Sequence, residues 1–84
     1  MKTKIYSIKD TKIGYMSPMY FQNDGVAIRE FTNARNSTQQ NIVNTNPEDK
    51  ELWALGEFDD QTGAIISDVR FIIKAEDVFT RKGE

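Results

Sequence analysis

The chain has 84 residues, 38% of them hydrophobic and 29% charged, enough for one small domain over residues 1–84 that hides only about 60 to 65% of the surface its unfolded form exposes. Cysteine and histidine are both absent, which excludes disulfides, Cys/His zinc sites, thiol nucleophiles and Ser-His-Asp triads. Eleven basic against thirteen acidic residues give a net charge of −2, far from the basic balance of a domain that holds nucleic acid by bulk electrostatics.

From the N-terminus, residues 2–9 mix β-branched, aromatic and basic side chains with partial alternation and predict a first strand, ended by the turn-like cluster from Asp10 to Gly14. Residues 15–22 continue extended, and Pro18 confines them to an edge or a loop because it cannot donate to a ladder. Asn23-Asp24 then supplies a helix N-cap, and Ala27, Ile28, Phe31 and Ala34 fall on one helical face, so a helix is expected from Asp24 to Asn36. Arg29, Glu30, Asn33 and Arg35 point to water or to a partner. Residues 33–46 hold five of the six asparagines and read as a loop, because Asn, Ser and Thr side chains compete for the backbone's hydrogen bonds. Within it, residues 41–44 have the composition of a very short strand.

Asn46-Pro47-Glu48-Asp49 has the cap, first-turn proline and acids of a single helical turn. The stretch from Glu51 to Asp59 follows as a central strand, with Trp53 and Leu55 on one side and Leu52, Ala54 and Phe58 on the other. Trp53, in the most apolar strand, reads as core rather than as a stacking platform. Residues 59–63 form a hairpin loop closed by a left-handed glycine. The return strand places Val69, Phe71, Ile73 and Ala75 in a period of two, the pattern of a half-buried strand. Residues 78–80 make a last short piece before a polar, frayed end. The order of elements predicts an α+β domain: a small antiparallel sheet of three to five strands with one helix packed on one face. Its size, together with the pattern from Val69 to Ala75, predicts a homodimer through an unpaired edge strand.

Catalysis is not expected. The densest acid pair, Asp59-Asp60, sits where a turn before glycine favours aspartate, and neither a phosphate cradle nor a complete calcium loop occurs, so no cofactor or metal is expected. No apolar run approaches the ~20 residues that span a bilayer, so no membrane partner is expected. Charge is uneven: residues 1–46 carry six basic and three acidic side chains, and the remainder carries five basic and ten acidic. Lys4, Tyr6, Lys9, Lys12, Tyr15 and Tyr20 interleave cations with rings, as a surface for phosphates and stacked bases requires. With Arg29 and Arg35 they form the candidate nucleic-acid-binding set. The competing reading is that the rings fill a small core while the lysines keep an edge soluble.

Several blocks in order carry a family resemblance: Lys4-Ile5-Tyr6-Ser7-Ile8 with Asp10, Asn23-Asp24-Gly25-Val26-Ala27-Ile28-Arg29 with Phe31, Asn46-Pro47-Glu48-Asp49, and Leu52-Trp53-Ala54-Leu55-Gly56-Glu57-Phe58-Asp59-Asp60 with Thr62-Gly63. The chain resembles the small non-structural protein of gokushoviruses, in the Microviridae, icosahedral phages with circular single-stranded DNA. The resemblance implies a phage protein in the host bacterial cytoplasm, linked to single-stranded DNA and to the switch from replication to genome packaging. The alternative is an interaction module that binds phage replication or procapsid proteins without touching DNA.

Overall fold

The computed structural model describes residues 2–80, so the polar end read above as frayed lies outside the described residues. Strand β1 (Lys2–Asp10) runs one residue beyond its expected end. On one side it pairs antiparallel with two short strands, β2 (Gly14–Tyr15) and β3 (Met19–Phe21). The extended segment is thus an edge, as the proline requires, and Pro18 lies in the gap between the two strands. Across that gap the Met16 amide donates to the Ile8 carbonyl at 2.8 Å, and the Ser7 hydroxyl donates to the Met16 carbonyl at 2.8 Å. On its other side β1 pairs with β4 (Lys50–Asp59), and β4 pairs with β5 (Ile65–Lys74). The five strands form one antiparallel sheet in which β1 and β4 are central and β5 is an edge.

The helix α1 (Asp24–Arg35) forms where the apolar spacing places it. Asn23 Oδ1 accepts from the Val26 amide at 2.9 Å, satisfying one of the helix's free N–H groups. At the other end the Asn36 side chain donates to the carbonyls of Thr32 and Val78, each at 2.9 Å, and accepts from the Thr80 amide at 2.7 Å. One amide thereby ties the helix end to the last described turn. Ala27 and Phe31, four residues apart, dock against Tyr6, Ile8, Leu52 and Ala54 of the two central strands, with Val43 and Ala75 closing the core at its rim. The fold is α+β, with α1, the one α-helix among the described residues, on one face of a small sheet.

No strand forms at residues 41–44. Asn41 Oδ1 accepts from the amides of Val43 and Asn44 at 2.9 and 3.0 Å, and Asn41 Nδ2 donates to the Ala34 carbonyl at 2.8 Å. The asparagine side chains take the backbone groups a ladder would have used, and the resulting turn drives Val43 into the core. The Pro47–Asp49 turn is a short 3₁₀ helix whose Asn46 side chain makes no capping hydrogen bond. The 59–63 hairpin closes as expected on Gly63, at φ 78°, whose amide donates to the Asp59 carbonyl at 2.7 Å.

Two register irregularities correct the reading of the hairpin strands. Between Ala54 and Gly56, β4 carries one residue more than β1 opposite it, so the inward and outward positions exchange beyond that point. Phe58 therefore lies with Thr3 and Ile5 on the face away from the helix, not with Leu52 and Ala54. Gly56 sits at the shift with φ 151°, and a Cβ there would lie 2.0 Å from the Ile66 carbonyl oxygen, so glycine is required. β5 is not half-buried along its length. Residues 65–71 are exposed on both faces, and only Ile72 and Ile73 reach the core. The second irregularity lies there: β5 carries one residue more than β4 between Phe71 and Ile73, so adjacent Ile72 and Ile73 both turn to the core, while over the rest of this edge strand neither face is covered.

Candidate nucleic-acid interface

The helix can cover only one face of the sheet, so the other face is built from the alternate residues of each strand: Thr3, Ile5, Ser7 and Lys9 of β1, with their cross-strand neighbours. Trp53, opposite Ser7, belongs to this face. It is half-buried, but by neighbours on the open side rather than by the helix, which corrects its assignment to the core. Its ring meets Tyr15 of β2 edge-on, with centroids 5.9 Å apart and planes at 87°, and Phe71 of β5 at 5.7 Å and 72°. The Trp53 indole donates to Glu51 Oε1 at 2.9 Å, which fixes the ring's tilt. Lys9 places its ammonium 4.7 Å from the Trp53 ring centre and 5.3 Å from that of Tyr15. A row of three rings with one cation thus crosses the sheet, and Tyr15 and Phe71 are each 45% exposed.

Tyr20 lies on the same face, opposite Ile5 on β3, and is 61% exposed. With Thr3, Ile5, Phe58 and Ile65 it lines an apolar groove of about 310 Å³. Ile5 and Lys9 are four residues apart on one strand, so the groove lies ~13 Å from the ring row at the ~3.3 Å rise of a strand residue.

The sequence-derived set divides between the two faces. Lys9, Tyr15 and Tyr20 come together on the open face; the other five do not join them. Tyr6 points under the helix and is fully buried, so it offers no ring for stacking. Its hydroxyl donates to Asp24 Oδ1 at 2.6 Å. Burial, reinforced by the Asp24 carboxylate, pushes the Tyr6 phenol far above its ordinary value. The same hydrogen bond, followed by the Arg70 guanidinium, holds Asp24 below the usual carboxylate range. Lys4 lies on the helix side too, in the cleft lined by Tyr6, Asp68 and Arg70. Lys12, in the β1–β2 turn, pairs with Asp49 at 3.6 Å. Arg29 is exposed on the helix, and Arg35 places its guanidinium 4.2 Å from the Phe79 ring centre. The cations of the N-terminal half therefore scatter, because β1 alternates its lysines between faces and the helix carries the arginines away from the open side.

Trp53 and Phe71 are the residues that sequence reasoning missed. The signal was present: Trp53 alternates with Leu52 and Ala54, and a chain with a single helix has cover for only one of those two faces.

Among the described residues, no helix is long and apolar enough to cross a membrane. Residues 3–78 match the family described as Phage ORF5 protein. No curated protein and no solved structure matches the chain.

Proposed function

The chain belongs to the Phage ORF5 protein family, and on that premise we propose that it binds single-stranded DNA on the open face of its sheet. In this reading it acts in the host bacterial cytoplasm, as a gokushovirus protein that favours packaging of the single-stranded genome. The observation that carries the reading is the Lys9 ammonium set against Trp53 and Tyr15, at 4.7 and 5.3 Å, with the half-exposed rings of Tyr15 and Phe71 on either side of the indole. Lys9 supplies the phosphate contact, Tyr15 and Phe71 supply stacking faces, and Trp53 holds both rings edge-on. Stacking on exposed rings contributes roughly 1 to 3 kcal/mol per base and tolerates any sequence. A mildly acidic chain can bind in this way, because stacking does not depend on net charge.

Trp53 is the only tryptophan in the chain, so binding has a built-in reporter. Titrating oligothymidylate into the protein at two salt concentrations should quench indole fluorescence saturably, with affinity falling as salt rises. Absence of quenching at low salt would remove the DNA reading, and salt-insensitive quenching would remove the role of Lys9.

A second reading is favoured by the apolar groove lined by Thr3, Ile5, Tyr20, Phe58 and Ile65: a replication or procapsid protein inserts an apolar side chain there, without DNA contact. Capture from infected lysate separates the two. Partners retained after nuclease treatment support this reading, and partners lost on nuclease treatment count against it.

A further inference from the structure

We propose that the free edge of β5 pairs antiparallel with β5 of a second copy of this chain, about a two-fold axis passing beside Val69. The edge is ten residues long and, among the described residues, pairs with β4 alone. Its backbone presents an unpaired row of donors and acceptors, the feature that templates addition of another strand. Monomeric proteins blunt such edges with bulges, of which β5 has two against β4, and with lysine or proline. From Ile65 to Ile73 this strand has neither, and Ile65, Ile66, Val69 and Phe71 are 71, 50, 54 and 45% exposed. The only charges in that span are Asp68 and Arg70, of opposite sign, two residues apart. They lie on the same face, with Arg70 Nε 3.7 Å from Asp68 Oδ2.

The charges select the partner and the register. A two-fold axis perpendicular to the sheet keeps corresponding faces together only when it is centred on a residue. Centred on Val69, it sets Asp68 of each copy opposite Arg70 of the other and Val69 opposite Val69, and it brings Ile66 to Ile72 where the extra residue of β5 turns Ile72 and Ile73 together toward the core. Centred one residue earlier it would set Asp68 against Asp68, and one residue later Arg70 against Arg70; like charges directly opposite are destabilising. The Val69 register is thus the one of the three in which opposite charges face each other. The axis also leaves both open faces on one side, so the Tyr15, Trp53 and Phe71 rows of the two copies form one continuous surface. The dimer itself does not depend on the DNA reading.

The chain contains no cysteine, so a single introduced thiol reports the register. Directly opposite residues of an antiparallel pair have Cα atoms ~4.5 to 5.5 Å apart, within disulfide range. Under mild oxidation Val69→Cys should form a covalent dimer, while Ile65→Cys, four residues from the axis in each copy, should not. Sedimentation of the unmodified chain should show a species of about twice 9.7 kDa at micromolar concentration. Asp68→Arg, at an exposed position, should weaken the dimer about tenfold or more through like charges across the seam. A 9.7 kDa species at all concentrations to hundreds of micromolar would overturn the dimer. Cross-linking of Ile65→Cys as readily as Val69→Cys, or an Asp68→Arg dimer as tight as the original, would overturn the register.

Discussion

The Tyr6 hydroxyl donates to Asp24 Oδ1 at 2.6 Å, so the centre of β1 is fastened to the first turn of the helix. Arg70 reaches the same carboxylate from β5, with a nitrogen 3.1 Å from Asp24 Oδ2. One acid thus joins the helix, a central strand and the edge strand. Its position in the first helical turn also suits the positive end of the helix dipole.

Tyr6→Phe keeps the ring in the core and removes only the hydrogen bond. The expected loss is about 1 to 2 kcal/mol, read as a fall of several degrees in melting temperature at neutral pH. The pH dependence has a definite sign. Asp24 is held below its ordinary value in the fold, so its contribution is present above the usual carboxylate range and is lost as pH falls through the folded value. Tyr6 is held above its ordinary value of 10.0, so its contribution is complete below that pH and declines as pH rises beyond it. The difference between wild type and Tyr6→Phe should therefore be greatest between these limits and shrink toward both. A difference independent of pH would show that the hydroxyl does not act through Asp24.

Lys50 and Asp10 form a cross-strand ion pair at 3.6 Å, with side chains only 7% and 12% exposed. The Lys50 ammonium also donates to the Thr45 carbonyl at 2.6 Å, and Asp10 accepts from the Lys12 amide at 2.9 Å. Lys50→Met strands a largely buried carboxylate and should cost about 3 kcal/mol or more, measured as a shift in the urea midpoint. Adding Asp10→Asn should recover part of that loss, because the amide oxygen still accepts from Lys12 and carries no charge. A double variant no more stable than Lys50→Met would show that the lost packing of the lysine stem, rather than the unpaired charge, is what matters.

The first strand, the helix and the hairpin loop are legible in the sequence because each is set by local chemistry: alternation in β1, the Asn23 cap before Ala27 and Phe31, and a glycine free to adopt φ 78° at position 63. Phe58 was misplaced because the extra residue beside Gly56 shifts the phase of β4. A lone glycine within a strand is the signal for such a shift. The candidate site was half legible. Lys9, Tyr15 and Tyr20 are on one face because of their parity on neighbouring strands, whereas Tyr6 and Lys4 have the opposite parity and turn toward the helix. Spacing along a strand therefore separated residues that composition had grouped.

Gly56→Ala should be among the most damaging small substitutions in the chain. The new methyl would lie 2.0 Å from the Ile66 carbonyl oxygen at a backbone φ of 151°, so strand β5 would have to move or the irregularity would be lost. An expected cost of about 3 kcal/mol combines the conformational and steric penalties. Gly63→Ala, at φ 78° with nothing within 4 Å, should cost only about 1 to 2 kcal/mol. Equal losses in thermal unfolding of the two variants would mean that the close approach of β5 to Gly56 contributes nothing.

The open-face reading separates stacking from charge, and single substitutions can resolve them. Tyr15→Ser removes a half-exposed ring and should weaken oligothymidylate binding by about 5- to 100-fold without changing its salt dependence, since no phosphate contact is lost. Lys9→Gln should weaken binding less at high salt than at low salt and reduce the slope of log affinity against log salt by about 0.7 to 1, the signature of one phosphate contact removed. Arg29→Gln, on the exposed side of the helix, should leave affinity and slope unchanged, because the sheet stands between that arginine and the rings. Binding is followed in each case by fluorescence of Trp53, with circular dichroism confirming the fold. If Arg29→Gln reduced the slope and Lys9→Gln did not, the strand would be tracking the helix side, and the ring row would be a packing feature of a sheet that covers its own open face.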